Sequence, residues 1–225
     1  MNPGDWHILR SMRLLQNLQT GTINNLLAES AAHTLGAGSV LFEQGDEPRF
    51  VHFILNGDVA LIGRSDEHEA VIEFFRGGEV LLTPAVILIR PYLVSARTVA
   101  ESRIVQVPAE RFRQVADRDH TLTTALNQEL ARHWRLLVVQ MKDLKLRSAP
   151  QRLASYLVSR YETPGRPVMI NEERRALATR LGMTPESLSR AFRALTEVGV
   201  NSRGKAVSIA SVEQLREFCR YDELT

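Results

Sequence analysis

Apolar residues alternate in short runs between Ser39 and Pro108 and recur every third or fourth position beyond Ala109, which divides the chain into a sheet-forming and a helix-forming part. In the first part, β-rich runs at Val51 to Leu55, Val59 to Ile62 and Ala70 to Phe75 are separated by turns at Gly45-Asp46, Asn56-Gly57-Asp58 and Gly77-Gly78. Asn56-Gly57 between two such runs is a hairpin signal, because both residues tolerate positive φ. Runs of about five residues at roughly ten-residue spacing predict a small closed roll rather than a parallel sheet with crossover helices. Two more strands are expected at Leu93 to Val99 and Ile104 to Pro108, after a less regular apolar stretch that starts at Val80. Ahead of the roll, Asp5 to Asn17 and Thr22 to Ala32 read as weak helices.

A long helix is predicted from Thr121 to Leu146. Its ridge of Leu126, Leu130, His133, Leu137, Met141 and Leu144 keeps a near-heptad rhythm, the spacing by which two helices wrap each other. At 1.5 Å per residue such a helix is about 39 Å long, more than a small roll can cover. The same helix of a second copy is the simplest partner, so the chain is expected to form a homodimer. Ser148-Ala149-Pro150 then interrupts the pattern, since proline removes a donor and disfavours helix at the residue before it. Three segments follow: an N-terminal domain over 1–118, a dimerisation helix over 119–147 and a C-terminal domain over 148–225.

The C-terminal domain carries the most specific motif. A helix over Gln151 to Tyr161, a short strand over Val168 to Ile170 and a helix capped by Asn171 lead to Gly182, where the chain turns. Thr184 and Pro185 then start a second helix as N-cap and first turn. On it Glu186, Ser189, Arg190 and Arg193 share one face, while Leu188, Ala191, Phe192 and Leu195 share the opposite one. One face packs and the other is free to read, which is the grammar of a helix-turn-helix. Two short strands around Arg203-Gly204-Lys205 would form a wing with a basic tip.

The residue types suit bases and phosphates. Arg190 can donate a bidentate pair to guanine O6 and N7, Glu186 can accept from cytosine N4, and Ser189 is short enough to meet a thymine edge or a phosphate. Thr184, Ser187, Arg193, Arg203 and Lys205 complete the expected double-stranded DNA contacts. A salt bridge between Glu186 and Arg190, at helical spacing, is the plain structural reading of that pair. Charge agrees mildly: 148–225 holds 12 Arg and Lys against 9 Asp and Glu, whereas 1–147 holds 16 against 17.

Composition excludes several other classes. With 44% hydrophobic and 24% charged among 225 residues the chain can bury a core, so disorder is not its main state. It has no run of about 18 apolar residues, and MNPGDWHILRSMR lacks the basic end and apolar block of a signal peptide, so a cytoplasmic protein without a membrane partner is expected. A single cysteine, Cys219, permits no internal disulfide and no four-cysteine iron–sulfur cluster within one chain. No Ser/His/Asp order, phosphate loop, HExxH helix or metal-spaced carboxylate cluster marks an enzyme, so neither catalytic residues nor a metal site are assigned.

The order of parts resembles the CRP/FNR transcription regulators, over nearly the whole chain. Gly45-Asp46, Asn56-Gly57-Asp58-Val59, Gly78-Glu79, Val94-Ser95-Ala96 and LGMTPESLSRAFRAL carry the resemblance. It implies an α+β protein: a jelly roll like that of cyclic-nucleotide-binding domains, a dimer helix and a winged helix-turn-helix. Glu186, Ser189 and Arg190 match the E-x-x-S-R pattern of the FNR-like branch, whereas the CRP branch has arginine where this chain has Pro185. The resemblance implies inverted repeats of TTGA-like half-sites and RNA polymerase as a partner; an activator is expected, while whether bound effector activates or represses is not written in the sequence.

The same resemblance places an effector site in the roll, at Glu79, Leu81, Leu82, Ser95 and Arg97, with His133 on the dimer ridge. Cyclic AMP is not expected there, because the phosphate-binding arginine of the family's nucleotide binders is replaced by Val94, and a buried phosphate needs a cationic cradle. The stretch LLTPAVILIRPYLV is apolar and suits a lining for haem or another largely apolar effector. The family's haem-based, nitric-oxide-responsive (DNR-like) regulators, and the resemblance of the sensor sequence to FtrB-type regulators, imply haem as a candidate cofactor, with His7, His33, His52, His68, His120 and His133 as available ligands. Core packing is the simpler reading of that stretch. A ligand-independent regulator, whose roll serves only as a dimerisation scaffold, is the alternative.

Overall fold

The structure is a computed structural model that describes every residue except 67, 82, 83, 162, 164, 165 and 221–225. It divides into two compact units, Met1–Ala131 and Arg132–Thr225.

The first unit runs α1 (Pro3–Ser11), α2 (Thr20–Leu27), β1 (Ala31–Leu35), β2 (Val40–Phe42), β3 (Phe50–Asn56), β4 (Asp58–Arg64), β5 (Glu69–Arg76), β6 (Glu79–Leu81), α3 (Pro84–Leu88), β7 (Ser95–Thr98), β8 (Ser102–Pro108), α4 (Ala109–Ala116) and the first half of α5 (His120–Leu146). The strands form two antiparallel four-stranded sheets, ordered β1-β8-β3-β6 and β2-β7-β4-β5. Between them lie Phe42, Ile54, Val59, Leu61, Phe75, Leu81, Ala96 and Ile104, drawn from both sheets, and Tyr92 from the segment before β7. The other face of the first sheet, through Val51, Phe53, Leu55, Val105 and Val107, packs on Leu9, Leu26, Phe112, Leu122 and Leu126 of the helices. With partners on both faces, β3 buries every residue from Val51 to Leu55, so the strand is apolar on both sides except at His52 instead of alternating with polar residues.

Three expectations for this unit need correction. Asn56-Gly57 is not a hairpin loop, because β3 and β4 belong to different sheets. The turn carries the chain from one layer to the other, and Gly57, at φ +91°, is required by closeness: a Cβ there would sit 2.2 Å from Ser102 Oγ and 2.6 Å from the Glu101 carbonyl oxygen. The residues expected to continue a helix to Ala32 instead start β1, where Ala31 pairs with Gln106 and Leu35 with Ser102. Pairing along β8 outweighs the helix preference of two alanines. The first helix begins earlier and ends sooner than expected: Asn2 caps it in a reciprocal capping box with Asp5, and the chain leaves helical geometry at Met12.

The second unit continues from the latter half of α5 through α6 (Ala149–Ser159), β9 (Val168–Met169), α7 (Arg174–Arg180), α8 (Pro185–Leu195), β10 (Val200–Arg203), β11 (Ala206–Ile209) and α9 (Val212–Cys219). Its core joins Leu153 and Leu157 of α6, Leu177 and Ala178 of α7, Leu188, Ala191, Phe192 and Leu195 of α8, Val207 of the sheet, and Leu215 and Cys219 of α9. β11 lies between β10 and β9. Pro150 sits in the first turn of α6 behind the capping residue Ser148, so it opens this helix as well as interrupting the previous pattern. Asn171 is not an N-cap. Ile170 still donates its N–H to the Lys205 carbonyl, which keeps the backbone extended, and α7 starts after Glu173.

Candidate functional site

The second helix of the helix-turn-helix pattern, α8, follows from local chemistry. Gly182 turns the chain at φ +62°, and the N–H groups of Gly182 and Met183 close on the carbonyls of Thr179 and Ala178. Thr184 then caps α8, its Oγ1 accepting the Ser187 N–H at 3.2 Å, with Pro185 in the first turn. Leu188, Ala191, Phe192 and Leu195 are buried, whereas Thr184, Glu186, Ser189, Arg190 and Arg193 are exposed and Ser187 is half-buried.

Within that face the contacts differ from simple spacing. Arg190 Nη2 donates to Ser187 Oγ at 2.8 Å, one helical turn back, so Ser187 fixes its direction. Ser189 Oγ donates to the Pro185 carbonyl at 3.0 Å. The Glu186 carboxyl is held below its ordinary value first by its own backbone N–H, then by the Thr184 hydroxyl, with the charge of Arg190 a smaller influence. Glu186 therefore belongs electrostatically to the cap of α8 more than to Arg190. Arg203 and Lys205 are exposed on either side of Gly204 at the tip of the β10–β11 wing.

Two positioning arginines had no signal in the sequence. Arg174 places its guanidinium 4.3 Å from the centroid of Phe192 and donates to Ser202 Oγ at 2.9 Å, linking α7, α8 and β10. Arg152 donates to the Leu181 carbonyl at 2.8 Å and the Gly182 carbonyl at 3.1 Å, so α6 holds the turn between α7 and α8. Leu144 lies against the same turn: a Cβ on Gly182 would be 2.4 Å from its Cδ2. The end of the long helix thus touches the turn between α7 and α8.

Along that helix Leu126 is buried and Leu130 packs against the roll's helical core, while His133 is half-buried. Beyond them Leu137, Met141 and Leu144 are exposed in the single chain, beside Trp134 at 69% and Leu146 at 75% exposure. So long an apolar surface on one helix is the kind that covers itself by association.

The residues expected to form an effector site are not brought together as one cradle. Glu79 opens β6 and its carboxylate accepts the Arg76 N–H at 2.7 Å, spending it on the turn; the helix that follows starts only at Pro84. Leu81 is part of the core between the sheets, and Leu82 lies outside the described residues. Ser95 and Arg97 do converge, but on a third residue, Glu43. Ser95 Oγ donates to Glu43 Oε2 at 2.6 Å and Arg97 Nη2 donates to Glu43 Oε1 at 3.1 Å. These residues do not fit a cyclic nucleotide: hydroxyl and guanidinium are both committed to a carboxylate, and Val94 supplies no cation.

The histidines separate by burial. His7, His33, His68 and His120 are exposed, and His52 is buried inside the roll with Phe42 and Phe50 around it at ring separations of 5.7 and 6.4 Å. No group of three or more His, Cys, Asp or Glu among the described residues could hold a metal ion. Burial alone lowers the His52 pKa to about 4, so the ring is neutral at pH 7, with Gln106 Nε2 3.2 Å from its Nε2. The unfolded chain binds this proton near pH 6.5 and the folded chain only near 4. The contribution of neutral His52 to stability is complete above pH 6.5 and is lost as pH falls towards 4. Urea midpoints measured at pH 7 and pH 5 are expected to differ less in His52→Gln than in the parent chain; an equal difference would show that His52 does not titrate with unfolding.

A roll of two sheets, a long helix and a winged helix-turn-helix with an exposed polar reading face define a DNA-binding regulator. Residues 32–119 match the cyclic nucleotide-binding domain and residues 151–218 the Crp-like helix-turn-helix domain. The chain is 25% identical over 182 residues to the transcriptional activator protein Anr of Pseudomonas aeruginosa, covering 78% of this chain and 75% of Anr. Its fold is similar to FixK2 of Bradyrhizobium japonicum, with 17% identity, 84% and 96% of the two chains covered and a TM-score of 0.75. It is also similar to the c-di-GMP-responsive global regulator CLP of Xanthomonas campestris, with 21% identity, 86% and 100% covered and a TM-score of 0.72. The chain belongs to the CRP/FNR family of transcription regulators.

Proposed function

We propose that the protein is a non-enzymatic, dimeric activator that reads an inverted repeat of TTGA-like half-sites through Glu186, Ser189 and Arg190. The observation that carries this is the exposed face of α8, on which Ser187 points Arg190 and the α8 cap holds Glu186 ionised. Arg193 on the same face, and Arg203 and Lys205 at the wing tip, take the flanking phosphates. The exposed ridge of α5 supports pairing with a second copy, which would present two reading helices one helical turn of DNA apart. Leu144 against the turn at Gly182 gives the paired helices a direct hold on the reading heads, through which a change in the roll can reach the DNA.

The similarity to the transcriptional activator Anr supports the activator role, with RNA polymerase as the further partner of such an activator. No helix among the described residues is long and apolar enough to cross a membrane; the cytoplasmic location proposed for the protein rests on its reading DNA. Selection of bound duplexes from random DNA is expected to enrich two TTGA-like half-sites in inverted orientation. Enrichment of single, unrepeated sites would remove the dimeric reading, and enrichment of repeats with other half-sites would remove the assignment of Glu186, Ser189 and Arg190.

A further inference from the structure

We infer that the anion site of the roll is filled from within by the carboxylate of Glu43, so that the sensor domain of this chain does not answer to cyclic nucleotides. Glu43 follows β2 and reaches across to β7. Its two oxygens accept from Ser95 Oγ at 2.6 Å, Arg97 Nη2 at 3.1 Å and, more loosely, Arg64 Nη1 at 3.4 Å. Ser95 has no donor left for an anion: its one proton goes to Glu43, while its oxygen accepts the Gln44 N–H at 2.9 Å. Arg64 is occupied on its other side by Glu69 at 2.8 Å. The hydroxyl of Ser95 first, and then the guanidinium of Arg97, hold the Glu43 carboxyl below the usual carboxylate range, so it is charged at neutral pH.

Two arguments set the outcome of competition with a free anion. Glu43 is tethered, so its effective concentration at Ser95 and Arg97 is fixed by the chain and does not fall on dilution, whereas a phosphate must arrive from solution. The neighbouring depression, of about 430 Å³, is lined by Glu43, Gln44, Arg64, Ser65, Asp66 and Ser95. A phosphate placed there meets two carboxylates, and the one arginine of the lining is already shared between Glu43 and Glu69. The Arg97 guanidinium nevertheless keeps a buried Nε–H without a partner, so cationic capacity remains once the carboxylate is removed. The site is a latent anion site closed by one side chain, and the same carboxylate ties the end of β2 to β7 and to the end of β4.

Calorimetric titration of the full-length protein, without DNA, tests this with two probes, cyclic AMP and inorganic phosphate. The parent chain is expected to give no saturable one-site heat with either. Glu43→Gln keeps the shape and an acceptor for Ser95 but frees the charge of Arg97, and is expected to bind phosphate at least about tenfold more tightly than the parent. The double variant Glu43→Gln/Arg97→Gln is expected to lose that gain. Saturable binding of cyclic AMP to the parent chain would overturn the inference, as would a folded Glu43→Gln whose phosphate affinity equals the parent's. The titration of the parent decides even if the variants do not fold, and because DNA is absent the result is independent of which bases α8 reads.

Discussion

Replacing Gly57 by alanine is expected to lower the unfolding free energy by about 2 to 5 kcal/mol, a large share of the roughly 5 to 15 kcal/mol that holds a domain of this size. Two costs combine. At φ +91° an L side chain occupies the left-handed region, which costs about 1 to 2 kcal/mol. The added Cβ would also lie 2.2 Å from Ser102 Oγ, 2.6 Å from the Glu101 carbonyl oxygen and 2.7 Å from Ser102 Cα. Two of those atoms are backbone, and the third bonds the Ala100 carbonyl at 2.9 Å, so relief requires moving the start of β8, an overpacking cost of about 1 to 3 kcal/mol. Gly38 separates the two terms, because it has φ +80° and nothing within 4 Å of an added Cβ. Urea unfolding of Gly57→Ala and Gly38→Ala should show only the conformational term at Gly38. Equal losses at the two positions would mean that the approach of Ser102 contributes nothing.

Gly57 also marks the boundary of what is legible in this sequence. That Asn56-Gly57 turns is a local property of two residues, and the turn is present. Whether the flanking strands pair with each other or pass into separate layers depends on β8 and β7, which lie some forty residues further on, and nothing in the turn encodes it. The same division runs through the rest of the molecule. The second helix of the reading motif is local, set by a cap, a proline and a four-residue apolar repeat, and α8 spans the residues so predicted. The long helix is likewise written in its own ridge.

What was hidden consists of contacts between distant segments. Glu43 is one glutamate in a turn until β2 and β7 bring it to Ser95 and Arg97, 52 and 54 positions away. Arg152 is one of many exposed-looking arginines until the core of the second unit places it under the carbonyls of Leu181 and Gly182. Ser187 was legible as a polar residue on the reading helix, but its bond to Arg190 depends on a rotamer that spacing does not specify. An effector cradle was expected from a sequence segment, and its members are divided among a turn, a core and an ion pair because Glu79 and Leu81 lie on β6 in one sheet and Ser95 and Arg97 on β7 in the other.

Arg190→Ala is expected to cost about 1 to 3 kcal/mol at each half-site, and since the proposed complex uses two identical half-sites more than 10 Å apart the losses add, to about 2 to 6 kcal/mol per dimer. The loss should fall on one base pair in each half-site. A bidentate donor to guanine discriminates by leaving its two N–H groups unsatisfied when the base changes, so once the guanidinium is gone matched and mismatched sites should bind alike at that position. A phosphate contact behaves differently. Removing the exposed Arg203 at the wing tip should weaken every site by the same factor and reduce the slope of log K against log salt by about one, because one fewer counterion is released. Ser187→Ala lies between these cases: it keeps the charge of Arg190 and the salt slope but removes the 2.8 Å bond that points the guanidinium, so discrimination should fall with little change in non-specific binding. Titrating the three variants against matched and singly mismatched duplexes at two salt concentrations distinguishes the roles. If Arg190→Ala weakens matched and mismatched duplexes by one common factor and lowers the salt slope as Arg203→Ala does, Arg190 is a phosphate clamp and base reading must be sought elsewhere on α8.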